Sequence, residues 1–143
     1  MAYAATTNVS VSKTKGEIDG LLRKYRASGF GVFEEHSRAI LVFEMAQRRI
    51  VFHLPFAAFT RTERGKVRTT DAATAAWEQA CRSRWRALFL CIKAGIETFE
   101  ESFLAHIQMP DGLRVADHVK PRIAQAYETQ TMTPLLPGPK GDA

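Results

Sequence analysis

The chain has 143 residues, of which 45% are hydrophobic and 24% are charged. This composition is typical of one folded globular domain and excludes an intrinsically disordered chain. Twenty lysine and arginine residues against fifteen acidic residues give a formal net charge of +5 at pH 7. That modest excess fits a polyanionic partner but does not require one.

The sequence excludes a transmembrane segment, because no apolar run approaches the roughly 18–20 residues that a membrane-spanning helix needs. Residues 1–7 have neither a basic region nor an apolar core, so we expect no secretory signal and a cytoplasmic protein. The two cysteines, Cys81 and Cys91, fall on one predicted helix about 15 Å apart, too far for a disulfide. We expect both thiols to be free and buried, in a reducing compartment.

The first 29 residues predict a short strand and then a helix. Apolar and polar residues alternate over 8–12, which indicates a brief strand. Thr14 and Glu17 have the spacing of a capping box, which predicts that the helix begins at Thr14. An apolar stripe with helical spacing follows, consisting of Ile18, Leu21, Leu22 and Tyr25. Gly29 ends the predicted helix.

The next segment changes to the two-residue period of strands. Short polar breaks divide it into Phe30–Glu35, Ala39–Ala46 and Arg49–Leu54, which predicts an antiparallel meander. The middle segment is apolar on both faces, so we expect it to be the central strand. Pro55 has no N–H group to donate and closes the third strand.

A long connection over Ala57–Thr70 separates the meander from a predicted helix over Asp71–Ala94. Connections of this length without secondary structure are usually functional or mobile. The helix carries an apolar stripe that runs through Trp77, Cys81, Trp85, Leu88 and Ile92. Gly95 is expected to break the helix.

Two shorter helices and a tail complete the chain. One helix is expected from Thr98 to Ile107, and the turn residues Met109–Gly112 separate it from the next. Pro121 leaves two alternatives for the last helix, which either begins near Asp117 or kinks. Proline and glycine beyond residue 129 predict an extended tail.

These elements predict an α+β fold with a three- to four-stranded, mainly antiparallel sheet. The N-terminal helix and the long helix pack on the sheet, and two shorter helices follow. We assign residues 1–129 to a single α+β domain and residues 130–143 to the extended proline-rich tail.

No constellation of residues indicates catalysis, a metal or a cofactor. The four histidines, His36, His53, His106 and His118, form no His-x-x-x-His pair and have no Cys-x-x-Cys motif beside them. The chain also lacks a Gly-x-Ser-x-Gly elbow and a glycine-rich phosphate loop. We therefore expect a protein that is not an enzyme and has neither catalytic residues nor a cofactor.

Charge is segregated along the chain. Residues 48–93 hold ten basic and three acidic residues, whereas residues 94–143 hold four basic and seven acidic residues. If the basic residues converge on a groove beside the sheet, the planar guanidinium groups of the arginines can bind the phosphates of a nucleic acid bidentately. The phenylalanines between them can then stack on its bases. The predicted nucleic-acid-binding residues are Arg48, Arg49, Arg61, Arg64, Lys66, Arg68, Arg82, Arg86, Phe56 and Phe59.

The same residues also allow a structural interpretation. Phenylalanines at strand spacing, Phe52 among them, are usually core residues, and the arginines of the long helix would then pair with the acidic C-terminal third. Phe56 and Phe59 lie beyond Pro55 and are the better candidates for exposed stacking residues.

Seven segments of the chain carry a resemblance to known proteins: Val32-Phe33, Ala39–Glu44, Ile50–Pro55, Trp85–Leu88, Phe99–Ile107, Met109–Gly112 and Pro134–Pro137. Through them the sequence resembles a group of small uncharacterised phage and prophage proteins, and the resemblance covers most of the chain. It implies a viral accessory role in the cytoplasm of an infected bacterium and assigns no functional residue. The order of elements also resembles, in topology alone, the core of phage single-strand annealing proteins.

We expect a non-enzymatic accessory protein that binds nucleic acid, preferably single-stranded DNA during replication or recombination. The alternative is a protein-interaction module that inhibits or modulates a host or defence protein, with the acidic C-terminal third and the tail as its binding parts. Either function is compatible with an oligomer.

Overall fold

The fold is described by a computed structural model that covers residues 2–56, 62–63, 66–67 and 70–136. The helices are α1 (Ala2–Ala5), α2 (Val11–Lys24), α3 (Thr70–Gly95), α4 (Phe99–Ser102) and α5 (Val115–Thr129). The strands are β1 (Gly29–Glu34), β2 (Arg38–Met45), β3 (Arg48–Pro55), β4 (Thr62–Glu63) and β5 (Lys66–Val67). Two 3₁₀ turns, Ile96–Thr98 and Leu104–His106, flank α4. The α+β prediction is confirmed.

Strands β1, β2 and β3 form an antiparallel sheet in that order, so β2 is central as predicted. Strands β4 and β5 pair separately as a small hairpin within the long connection. Ala46 and Gln47 form the two-residue turn between β2 and β3, and both have positive φ. A turn of this kind matches the twist of the strands that it joins. The sequence predicted the break between these two strands at Gln47 and Arg48, one residue later than the observed turn.

Helices α2 and α3 cover one face of the sheet. Their contacts pair Lys15 with Trp85 and Glu17 with Arg86, and the α2 C-cap Tyr25 bonds to Glu97 just beyond α3, so the two helices run in the same direction. The core between helices and sheet consists of Ile18, Leu22, Ala39, Leu41, Phe43, Ile50, Phe52, Leu54, Trp85, Leu88, Phe89, Ile92, Ile96, Phe99 and Phe103.

Gly95 ends α3, as predicted, and its lack of a side chain allows the following segment to fold back. A Cβ atom at this position would lie 2.9 Å from the Phe103 ring and 3.0 Å from Ser102 Cβ. Phe103 is buried and makes edge-to-face contacts with Phe43 and Phe52. The close approach at Gly95 therefore brings the segment after α3 into the core.

The predictions for the N-terminal segment are wrong in two respects. No strand forms over 8–12; instead α2 begins at Val11, with the Ser10 hydroxyl accepting a hydrogen bond from the Lys13 N–H group at 3.1 Å. Thr14 lies inside the helix and is fully buried. A cap at Ser10 places Thr14 on the inward-facing stripe with Ile18 and Leu22, one and two turns further along.

Three other elements differ from their predictions. The predicted third helix is a single turn, α4, between 3₁₀ turns. Helix α5 begins at Val115, which excludes the predicted start near Asp117 and places Pro121 in its interior, and the alternative of a kink stays a prediction. Both cysteines are free, but Cys91 is exposed because it lies on the face of α3 opposite the core.

Candidate interaction surfaces

Arg48 and Arg49 lie at the start of β3, beside the turn from β2. Arg49 is paired across the strands with Glu44, whose Oε1 accepts from Nη2 at 2.7 Å and from Nε at 3.1 Å. Arg48 is exposed and donates from Nη1 to the Ala46 carbonyl at 3.3 Å. Arg49 therefore already has a carboxylate partner, whereas the one hydrogen bond of the Arg48 side chain within the described residues goes to a backbone carbonyl of its own turn.

Arg82 and Arg86 lie on α3 and are both engaged within the protein. The Arg86 Nη1 lies 2.7 Å from Glu17 Oε2, and its guanidinium sits 4.6 Å from the centre of the Phe89 ring. Its side chain is only 12% exposed. Arg82 donates to Gln79 Oε1 from Nη2 at 2.6 Å and from Nε at 3.1 Å. Arg86 thus joins α3 to α2 rather than facing outward.

The predicted site residues do not converge on one groove. Arg48 and Arg49 line a depression beside the β2–β3 turn, with Glu44 and Gln108. Arg82 and the half-buried Phe56 line a different cleft at the opposite end of the sheet, where β3 ends. The structure describes only the backbone of Lys66, which lies in β5. The remaining predicted residues fall outside the described part of the chain: Phe59, Arg61, Arg64 and Arg68.

The cleft at the end of β3, here called the tryptophan cleft, has a volume of about 380 Å³. It lies between the beginning of α2, the first half of α3 and the β1–β2 hairpin. Its lining residues are Asn8, Ser10, Val11, Glu34, Glu35, Phe56, Trp77, Glu78, Cys81, Arg82 and Trp85. Aromatic walls with a few polar groups are typical of ligand sites.

A lysine and a glutamate form an ion pair at the edge of the tryptophan cleft. Lys15 forms an ion pair with Glu34, and its ammonium group lies 5.2 Å from the centre of the Trp85 ring. Burial raises the pKa of the Cys81 thiol, and the carboxylate of Glu34 raises it further. A thiolate is therefore disfavoured here, which indicates that the cleft floor does not stabilise a negative charge.

The second surface, here called the open sheet face, is the side of the sheet opposite α2 and α3. The register places Phe33, Ile40 and His53 in one row across the three strands. The next row contains Gly31, Val42 and Val51. Phe33 is 55% exposed, and Ile40 and Val42 are half-buried. Nothing lies within 4 Å of a Cβ atom placed on Gly31, so the β1 side of this face is uncovered by described residues, whereas Val51 on β3 is only 6% exposed.

The charges that border the open sheet face are paired with one another. At one end Arg49 contacts Glu44, and at the other Arg38 Nη2 lies 3.2 Å from Glu35 Oε1. On β3, burial and then the guanidinium of Arg114 lower the pKa of His53, which favours its neutral form. The surface is therefore apolar in its middle and has balanced charge at its borders.

Arg114, at the start of α5, is buried beside β3. It forms a two-point ion pair with Asp117, with Nη2 to Oδ1 at 3.0 Å and Nε to Oδ2 at 3.2 Å, and its N–H group also donates to Oδ2. These bonds lower the pKa of Asp117 to about 2. Ile107 bridges to Ile50, and Gln108 bonds to Arg49, so the segment before α5 lines the β3 edge.

Sequence reasoning missed both Phe33 on the open sheet face and the two tryptophans of the cleft. Strand alternation was sufficient to place Phe33 on the same face as Gly29 and Gly31. Glycine at both positions leaves Phe33 without a neighbouring side chain from its own strand on that face. The tryptophans lay on a predicted core stripe, and no sequence signal places the β1–β2 hairpin beside them.

Within the described residues, no group of three or more histidine, cysteine or acidic side chains is arranged to hold a metal ion. None of the described helices is long and apolar enough to cross a membrane. Comparisons of the chain with protein-family models, with curated proteins and with solved structures found no match. The function is therefore inferred from the geometry of the two surfaces.

Proposed function

We propose that this chain is a non-enzymatic protein-interaction module that binds its partner through the open sheet face. The observation that carries the proposal is the exposure of Phe33 beside the half-buried Ile40 and Val42, on the β1–β2 part of the face, where nothing described lies within 4 Å of a Cβ atom placed on Gly31. Full burial of a phenylalanine contributes about 1.5–3 kcal/mol. Such a residue is a typical anchor at the centre of an interface.

A protein partner fits this face better than a nucleic acid does. The bordering cations Arg38 and Arg49 are already neutralised by Glu35 and Glu44, so a phosphate would have to displace a carboxylate. The centre of a protein interface is depleted of charged residues, with polar groups at its rim. The open sheet face has this arrangement.

The proposal is tested by replacing Phe33 with a photo-crosslinking phenylalanine analogue in cells that express the protein. Leu104 is the matched control, because its side chain is also 55% exposed and lies outside the sheet. A partner crosslinked from position 33 and not from 104 is then purified. We expect Phe33→Asp to weaken its binding at least about tenfold, and Leu104→Asp to leave it unchanged. No adduct specific to position 33, or equal binding by the Phe33→Asp variant, would contradict the proposal.

A second candidate function is binding of single-stranded nucleic acid during phage replication or recombination. The observation that favours it is the ten basic residues of 48–93, which include the exposed Arg48 and the run from Arg61 to Arg68. Fluorescence anisotropy with single-stranded DNA tests it, since log affinity should fall with log salt by about 0.7 per phosphate contact. Exchanging Arg61, Arg64, Lys66 and Arg68 for glutamine should reduce binding. No binding at about 50 mM salt would eliminate this candidate.

A further inference from the structure

Beyond the proposed function, the structure points to a second binding site: we propose that the tryptophan cleft binds an organic ammonium group. Trp77 and Phe56 supply its accessible aromatic surface, Trp85, which is only 1% exposed, lies beneath them, and carboxylates stand at its rim. A cation over an aromatic face is attracted by the negative centre of the ring, most strongly by tryptophan. Sites for quaternary ammonium ligands are built in this way.

The protein already places one ammonium group in such surroundings. Lys15 lies over the Trp85 ring and pairs with Glu34 at the edge of the cleft. A cation–ring–carboxylate arrangement is therefore stable at this position without a ligand. The neighbouring Trp77 ring is stacked against His36 with their centres 4.4 Å apart, which fixes the second indole in place.

The cleft has one further carboxylate that no cation among the described residues satisfies. Glu34 pairs with Lys15, and Glu35 pairs with Arg38. Glu78 is exposed on α3, lines the cleft and has no basic partner among the described side chains. A ligand ammonium seated on the half-buried Trp77 would supply the missing counter-charge.

An anionic ligand fits the same cleft less well. Arg82 is the one guanidinium among the described lining residues, and two of its nitrogens donate to Gln79 Oε1. Three carboxylates surround the cleft, from Glu34, Glu35 and Glu78. A phosphate bound there would meet these charges at short range, where like charges repel strongly.

The chain is well suited to a direct test, because Trp77 and Trp85 are its only two tryptophans and both line the cleft. Intrinsic tryptophan fluorescence therefore reports on this site. The probe is choline, and its neutral control is 3,3-dimethyl-1-butanol, which has the same shape without the charge. We expect a saturable fluorescence change with choline and at least about tenfold weaker binding of the alcohol.

Glu78→Gln should weaken choline binding several-fold, whereas Glu128→Gln, the same change at an exposed position on α5, should have no effect. A peptide with a trimethylated lysine, titrated in parallel, distinguishes a protein-borne ammonium from a free one.

Equal binding of the alcohol would show an apolar cleft without charge recognition, and binding of a nucleoside monophosphate instead of choline would show an anion site. Either result, or no response to choline, would overturn the proposal. The outcome is independent of the proposed function, because Phe33, Ile40 and Val42 do not line the cleft.

Discussion

Phe52 shows how one phenylalanine's role depends on what surrounds its ring. Only 4% of the residue is exposed, and its ring contacts those of Phe43, Phe103 and His106. We expect Phe52→Ala to lower the free energy of unfolding by about 3–5 kcal/mol, through lost burial and the cavity that remains. Phe33→Ala, on the open sheet face, should cost no more than about 0.5 kcal/mol. Chemical denaturation of both variants measures this, and equal losses would mean that Phe33 is also a core residue.

We expect His106 to make the stability of the fold sensitive to mild acid. Its ring stacks on Phe52 at 4.2 Å, and burial, followed by the charge of Arg114, lowers the pKa of His106 below 6.5. The unfolded chain takes up a proton near pH 6.5 while the folded chain does not, so this contribution to stability is complete above pH 6.5 and is lost as the pH falls. The slope reaches at most about 1.4 kcal/mol per pH unit.

His106→Phe keeps an aromatic ring against Phe52 and removes the titration. Denaturation curves between pH 8 and pH 5 should therefore be flatter for this variant than for the wild type. His53 has a pKa lowered by the same two causes, so adding His53→Gln should flatten the curve further. An unchanged slope in His106→Phe would show that other groups control the acid sensitivity.

At the scale of elements, periodicity predicted the meander and the long helix because both depend on local patterns. The β2 prediction ended one residue late, and α3 extends one residue beyond its prediction at each end. The start of α2 could not be predicted in the same way. Both Ser10 and Thr14 are good caps by type, and only the packing of Ile18 and Leu22 against α3 and the sheet decides between them.

That choice between caps has a measurable consequence. Ser10→Ala removes the hydroxyl that accepts from Lys13 and should cost about 1 kcal/mol. Thr14→Val should be neutral or stabilising by up to about 1 kcal/mol, because the buried Thr14 Oγ1 has no hydrogen-bond partner among the described residues. Thermal unfolding of the two variants compares them directly. A larger loss for Thr14→Val than for Ser10→Ala would restore Thr14 as the cap.

At the scale of the whole molecule, counting charges along the chain does not reveal which charges face solvent. Arg86 belongs to the basic segment, yet it pairs with Glu17, which is 69 residues away in sequence. The Arg49 pair with Glu44 depends on the register of β2 and β3. Such pairs are fixed by tertiary structure, so a basic segment in the sequence is not equivalent to a basic surface. Predicting whether the basic residues form a groove would therefore have required knowledge of these tertiary ion pairs.

The boundary between domain and tail is also a property of the whole molecule. Beyond α5, the described tail bonds to the helix through Arg122, whose Nη1 donates to the carbonyls of Pro134 at 2.7 Å and Leu136 at 3.1 Å. Tyr127, near the end of α5, is 76% exposed. The core cluster contains no residue of α5, so the second half of the helix contributes little to it.

Truncation after Gln130 should consequently leave the domain intact. The cut keeps Gln130, whose left-handed conformation ends α5. We expect the free energy of unfolding to change by no more than about 0.5 kcal/mol.

Truncation after Met109 is the contrasting variant, since it removes the buried Arg114 and its ion pair with Asp117. It should cost several times more, because Gln108 then loses its bridge to Arg114 at the β3 edge. Equal destabilisation by the two truncations, measured by chemical denaturation, would place residues 131–143 within the folded domain.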